Sequence, residues 1–149
     1  MTQIKATVVG SLNVEANISK FTKESKQLLK QAVFKGVADV EKDAKTSIQR
    51  GGKSGFVYQR YNPRRTHKAS APGQPPASDT GNLVSQIMSV ADGKNTLVES
   101  RAEYSKFLEF GTSKMLPRPF LFPASEKSTK KIVQVLIQKL NKVAQGLKK

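Results

Sequence analysis

The stretch Tyr104-Ser-Lys-Phe-Leu-Glu-Phe-Gly-Thr-Ser-Lys-Met-Leu-Pro-Arg-Pro-Phe-Leu-Phe-Pro-Ala124 decides the fold, because the backbone it encodes changes habit twice. Tyr104, Phe107, Leu108 and Phe110 suit a short helix, and Gly111 stops it, since glycine closes a helix in the left-handed conformation without steric cost. Pro117 and Pro119 keep the next residues extended. Pro123 suits the first turn of a helix, where its missing N–H costs nothing. Ile132, Leu136, Leu140, Val143 and Leu147 then mark one face, which predicts a last helix from about 123 to 146 with a lysine-rich opposite side.

Upstream, Ile87 to Ala91 and Thr96 to Ser100 flank Asp92-Gly93-Lys94-Asn95, which reads as a β-hairpin, and Asp79 to Leu83 can open a short helical turn. Residues 62–80 hold Pro63, Pro72, Pro75, Pro76 and Gly73, which predicts a long exposed loop and a candidate contact element. Residues 53–61 alternate aromatics with polar groups and read as a strand. Leu29, Val33, Val37, Val40, Ala44 and Ile48 recur every three or four positions, predicting an amphipathic helix over 22–49. Thr22 would be its N-cap, and a left-handed Gly51-Gly52 would close it. From Ile4 to Ile18 every even position is apolar or Gly, the period of one long or bulged strand.

The chain has 149 residues, which fits a single domain over 1–149. Its apolar share of 37%, with no Trp, predicts a thin core or a surface covered by a partner. No cysteine is present, so disulfides and thiolate metal sites are excluded, and a reducing cytoplasm is the plain reading. The N-terminus lacks the pattern of a secretory signal, and no run approaches the roughly 18 apolar residues that span a bilayer. The formal charge of +15 draws nucleic acid, anionic lipid or acidic protein. It concentrates between Ala44 and Ser78, where Lys45, Arg50, Lys53, Arg60, Arg64, Arg65 and Lys68 meet no Asp or Glu.

Residues able to carry chemistry are sparse. His67 is the only histidine, so one chain cannot build a multi-His metal centre, and no carboxylate lies near it in sequence to make a hydrolytic triad. The eleven carboxylates are scattered, with Glu99, Glu103 and Glu109 the nearest to a cluster, and the glycines match no phosphate-cradling motif. These counts argue against an enzyme, a cofactor and a metal. Phe56, Tyr58 and Tyr61 among cations could stack bases, but their alternation fits a strand that turns its aromatics to the core.

Two segments, His67 to Leu83 and Tyr104 to Ala124, carry in order a Ser-Ala-Pro-Gly loop, Asp-Thr-Gly-Asn-Leu, Glu-Phe-Gly-Thr and Arg-Pro-Phe-Leu. Over residues 22–147 the chain resembles the minor neck or tail-completion family of long-tailed lambdoid-type bacteriophages and prophages. The resemblance implies an α+β fold, with two longer helices packed on an antiparallel sheet. It also implies a structural role at the head-tail interface of the virion, assembled in the bacterial host cytoplasm.

The implied partners are sibling copies in a ring, sixfold in the particle and monomeric in solution, and neighbouring neck and tail proteins. The resemblance also allows DNA in the lumen of such a ring; no membrane is involved. The family offers no catalytic residues. Asp79, Gly81, Glu109, Gly111, Thr112, Arg118, Pro119 and Phe120 stand at its motif positions and are expected to determine fold and assembly. A carboxylate among Phe107, Leu108 and Phe110 needs a partner or solvent; Arg118 is one candidate for Glu109, and open water is the alternative. Phe120 and Phe122 are expected to anchor the last helix by burial. The alternative function is sequence-independent nucleic-acid binding by Arg50, Lys53, Arg60, Arg64, Arg65 and Lys68.

Overall fold

A computed structural model describes residues 11–92 and 95–146, with the backbone alone at 11–16, 92 and 95. Helix α1 runs Ser11–Arg50, about 60 Å at 1.5 Å per residue. Its first turns fall where the alternation had predicted a strand; 4–10 of that strand lie outside the described residues. The helix wins because no Gly or Pro stands between Ser11 and Lys35, so each residue added upstream of the strongly periodic segment gains a hydrogen bond for little nucleation cost. Thr22 is therefore no cap: its hydroxyl donates to the Ile18 carbonyl one turn back, at 2.9 Å. Gly51 does end the helix, but not through a left-handed backbone, which among the described glycines belongs to Gly73, Gly81 and Gly111. A Cβ at position 51 would collide with the Ser47 carbonyl oxygen.

Two antiparallel hairpins follow. Strands β1 (Val57–Tyr61) and β2 (Arg64–Lys68) pair across an Asn62-Pro63 turn. The predicted loop thus begins later than its first proline suggested, because Pro63 occupies the turn itself, where no ladder N–H is needed. The remainder is pinned to the body rather than free. Gly73 N–H donates to the Pro117 carbonyl at 2.9 Å, Ser78 N–H to the Ile48 carbonyl at 3.3 Å, and Ser70 is fully buried. After the short α2 (Asn82–Ser85), β3 (Ile87–Asp92) and β4 (Asn95–Ser100) form the expected second hairpin. Helix α3 (Ser105–Phe110) and helix α4 (Leu121–Gly146) complete the α+β order.

Helix α4 lies antiparallel on α1. Gly36 faces Ile132, and Lys127 Nζ reaches Asp43 Oδ2 at 3.0 Å. Gly36 is what permits this approach, since a Cβ there would overlap the end of the Ile132 side chain. Ile132, Leu136, Leu140 and Val143 are half-buried, as their spacing required. Below this pair the core joins Ala44 and Ile48 of α1, Leu83, Ile87, Ala102, Phe120 and Ala124. Glu41 fastens β3 to α1 by accepting from Ser89 N–H at 2.9 Å and from the Ser89 hydroxyl, while Lys45 donates to its other oxygen at 2.6 Å. The lysine contact chiefly, then the serine hydroxyl, lower its pKa to about 2.

The core is thin, as composition predicted. The accessible surface is 11483 Å², against roughly 7,500 Å² for a compact monomer of this mass.

Candidate functional site

The motif residues between 109 and 120 close into one knot. Gly111 caps α3 with φ 77°, and its N–H donates to the Phe107 carbonyl at 2.9 Å. Thr112 and Met115 then bridge through both backbone groups, and Arg118 N–H donates to the Leu108 carbonyl at 2.7 Å. This folds the chain back so that Glu109, itself buried, points at the start of α4. Its Oε2 accepts from the N–H groups of Phe120 (2.9 Å) and Leu121 (3.1 Å), and its Oε1 from that of Phe122 (2.8 Å). A helix begins with N–H groups that no intrahelical carbonyl can reach, and its N-terminus carries partial positive charge. Neither solvent nor Arg118 is the partner that Glu109 needed: the backbone of α4 is.

Arg118 turns elsewhere, donating from Nη1 to the Ser70 hydroxyl at 3.2 Å. Pro119 precedes Phe120, whose ring is 1% exposed in the core, whereas Phe122 points outward and does not anchor the helix.

Asp79 is the hub of the second motif. It meets Arg65 Nε at 2.9 Å, Arg60 Nε at 3.5 Å and His67 Nδ1 at 3.6 Å. The Arg65 hydrogen bond is the main cause that holds its carboxyl below the usual aspartate range. Gly81, at φ 82°, turns the chain from Asp79 into α2. A cleft of about 210 Å³ lies between these groups, lined by His67, Ser70, Asp79, Gly81 and Arg118. The carboxylate near His67 escaped a sequence reading because it lies twelve positions on, across the pinned loop. It is shared with two guanidinium groups, and the Ser70 hydroxyl is engaged by Arg118, so the cleft is an ionic clamp on the hairpin.

This clamp divides the six cations named from sequence. Opposed residues of an antiparallel pair share a face, so Tyr58, Arg60, Arg65 and His67 look toward Asp79. Val57, Gln59, Tyr61, Arg64, Thr66 and Lys68 look away, and every one of them is exposed. Arg50 and Lys53 precede the hairpin, also exposed. The aromatics expected in the core are outside it: Phe56 and Tyr61 are each 81% exposed. Phe56 and Tyr58 are in step with each other but Tyr61 is not, so no single face could bury all three, and Tyr61 falls on the side turned away from Asp79.

A separate groove of about 530 Å³ opens between α1, β4, α3 and the start of α4. Val37, Val40, Leu97 and Val98 line it, and Phe110 (80% exposed) and Phe122 (63% exposed) stand at it. No sequence signal marked it, because its wall residues come from four separated segments.

Among the described residues no helix is long and apolar enough to cross a membrane. A family model described as "Bacteriophage HK97-gp10, putative tail-component" matches residues 13–111. The match takes in the Pro-Gly loop, the Asp79 turn and the Glu109-Phe-Gly stretch, and ends just before the segment that Glu109 holds. No curated protein and no solved structure matches the chain. With about two thirds of its length under that match, the chain belongs to the HK97-gp10-like family of structural bacteriophage tail components, whose place is the virion.

Proposed function

We propose that the chain is a neck or tail-completion subunit at the head-tail junction, acting as one domain that closes into a ring with its siblings, six in the particle. The groove carries this reading. Of the side chains that line it, Phe110 belongs to the Glu-Phe-Gly-Thr segment and Leu121 to Arg-Pro-Phe-Leu, with Phe122 the residue that follows. Asp79, Gly81, Glu109, Gly111, Thr112, Arg118, Pro119 and Phe120 hold the frame, and the groove is what that frame presents. A contiguous exposed apolar surface of this kind marks a protein contact. A groove is not complementary to itself, so the surface that fills it on a neighbouring copy is a different one, and copies so joined associate head to tail, the geometry that closes rings. In this reading the subunit is monomeric in solution and gathers on a template of neck and tail proteins during assembly in the host cytoplasm. Cryo-microscopy of virions tests the proposal: density for this chain as a ring at the head-tail junction is expected, and its absence there rejects it.

A further inference from the structure

We propose that the outward face of the β1–β2 hairpin binds the phosphodiester backbone of duplex DNA, without regard to sequence. Five of its six side chains, Gln59, Tyr61, Arg64, Thr66 and Lys68, can donate hydrogen bonds, and the sixth is Val57. Donors of this kind make most contacts to phosphate and sugar. Arg64 and Lys68 have no ion pair among the described residues, whereas Arg60, Arg65 and His67 on the opposite face share Asp79. The single carboxylate at the hairpin therefore neutralises one side and leaves the other cationic, and exposed Arg50 and Lys53 lie a few residues ahead of it in the chain.

Tyr61 and Arg64 would suit a protein interface too, but Lys68 would not, since interfaces deplete Lys at their centres, and a face with two cations and no carboxylate favours a polyanion. A two-stranded ribbon is also narrow enough for the major groove, and Tyr61 at its tip can lie against sugar and base edges. The net charge of +15 supplies the long-range attraction, but the hairpin face fixes where the duplex sits.

Fluorescence anisotropy of the full chain with labelled 30-base-pair duplexes of two unrelated sequences, from 50 to 300 mM KCl, tests this. Both duplexes should bind alike, with log K falling linearly in log salt. Arg64→Ala/Lys68→Ala should flatten the slope by about 1.8, at about 0.9 for each phosphate no longer neutralised. Lys130→Ala/Lys139→Ala removes the same charge from exposed positions of α4 and should leave most of that slope. Both pairs are exposed, and circular dichroism confirms that the variants are folded. Equal losses from the two pairs, or no binding at 50 mM KCl, would overturn the proposal. So would displacement of DNA by poly-glutamate at equal charge, which would point to an acidic protein instead. The inference needs no second copy of the chain, so its failure and that of the ring are separate results.

Discussion

Replacing Glu109 tests the knot most directly. Its carboxylate accepts three backbone N–H groups at 2.8 to 3.1 Å, one of them in a buried bond to Phe120. Hydrogen bonds to a charged group contribute about 1.5–3 kcal/mol each. Three on one carboxylate fall short of the sum, while loss of an N-cap alone costs about 0.5–2 kcal/mol. Glu109→Ala should therefore destabilise the fold by about 3–4 kcal/mol. Glu109→Gln should cost about 2 kcal/mol, because the amide keeps one acceptor but turns an NH₂ toward a donor and gives up the attraction to the helix dipole. Against a total stability of about 5–15 kcal/mol these are large effects. Urea unfolding followed at 222 nm should show the midpoint falling by about 1–2 M for the alanine variant, with an unchanged slope. Glu103→Gln, an exposed change of the same charge just ahead of α3, serves as control and should move the midpoint little. A Glu109→Gln protein within about 0.5 kcal/mol of the parent would refute the claim that this carboxylate holds the start of α4.

Glu41 sets an acid-side prediction. Its pKa is lowered to about 2 in the fold, so its contribution is complete above the unfolded value near 4.5 and disappears as pH falls toward 2. After allowance for partial exposure it amounts to roughly 1–2 kcal/mol, and Glu41→Gln should remove that much of the stability difference between pH 5 and pH 2 in urea titrations. Gly36→Leu should overpack the α1–α4 contact by about 1–3 kcal/mol, and Ile132→Ala in the same chain should recover part of the loss in thermal melts, since Ile132 occupies the space. Asp79→Asn should release the hairpin without unfolding the body: hydrogen exchange should quicken across 57–68 while the core amides around Ile48 and Ile87 keep their protection.

The elements with strong local punctuation were legible in the sequence: the paired strands of the second hairpin, the stop at Gly111, the opening of α4 near Pro123. Each is decided by residues that touch one another. Where the reading failed, distance decided. Residues 11–18 alternate like a strand, yet they continue a helix nucleated further along. Pro63 looked like the start of a loop because its use as a hairpin turn depends on β2 pairing back. Tyr61 is out of step with Phe56 and Tyr58, and only the contact of the paired hairpin with Asp79 decides which side is covered and leaves Tyr61 exposed. The apolar neighbours of Glu109 announce a carboxylate that needs either a partner or open water. That partner proved to be main chain, which no side-chain pattern announces.

Both hairpins close over short spans, whereas α1 and α4 are separated by about 70 residues of chain. Hairpins form within microseconds and distant pairings come later. At about 5–20 residues per second on a ribosome, α1 waits some 4–14 s before α4 begins to emerge. Through that interval the flank containing Val40, Ala44 and Ile48 has no helical partner, so the newborn chain is most prone to aggregate, and most in need of a chaperone, between the synthesis of its two long helices.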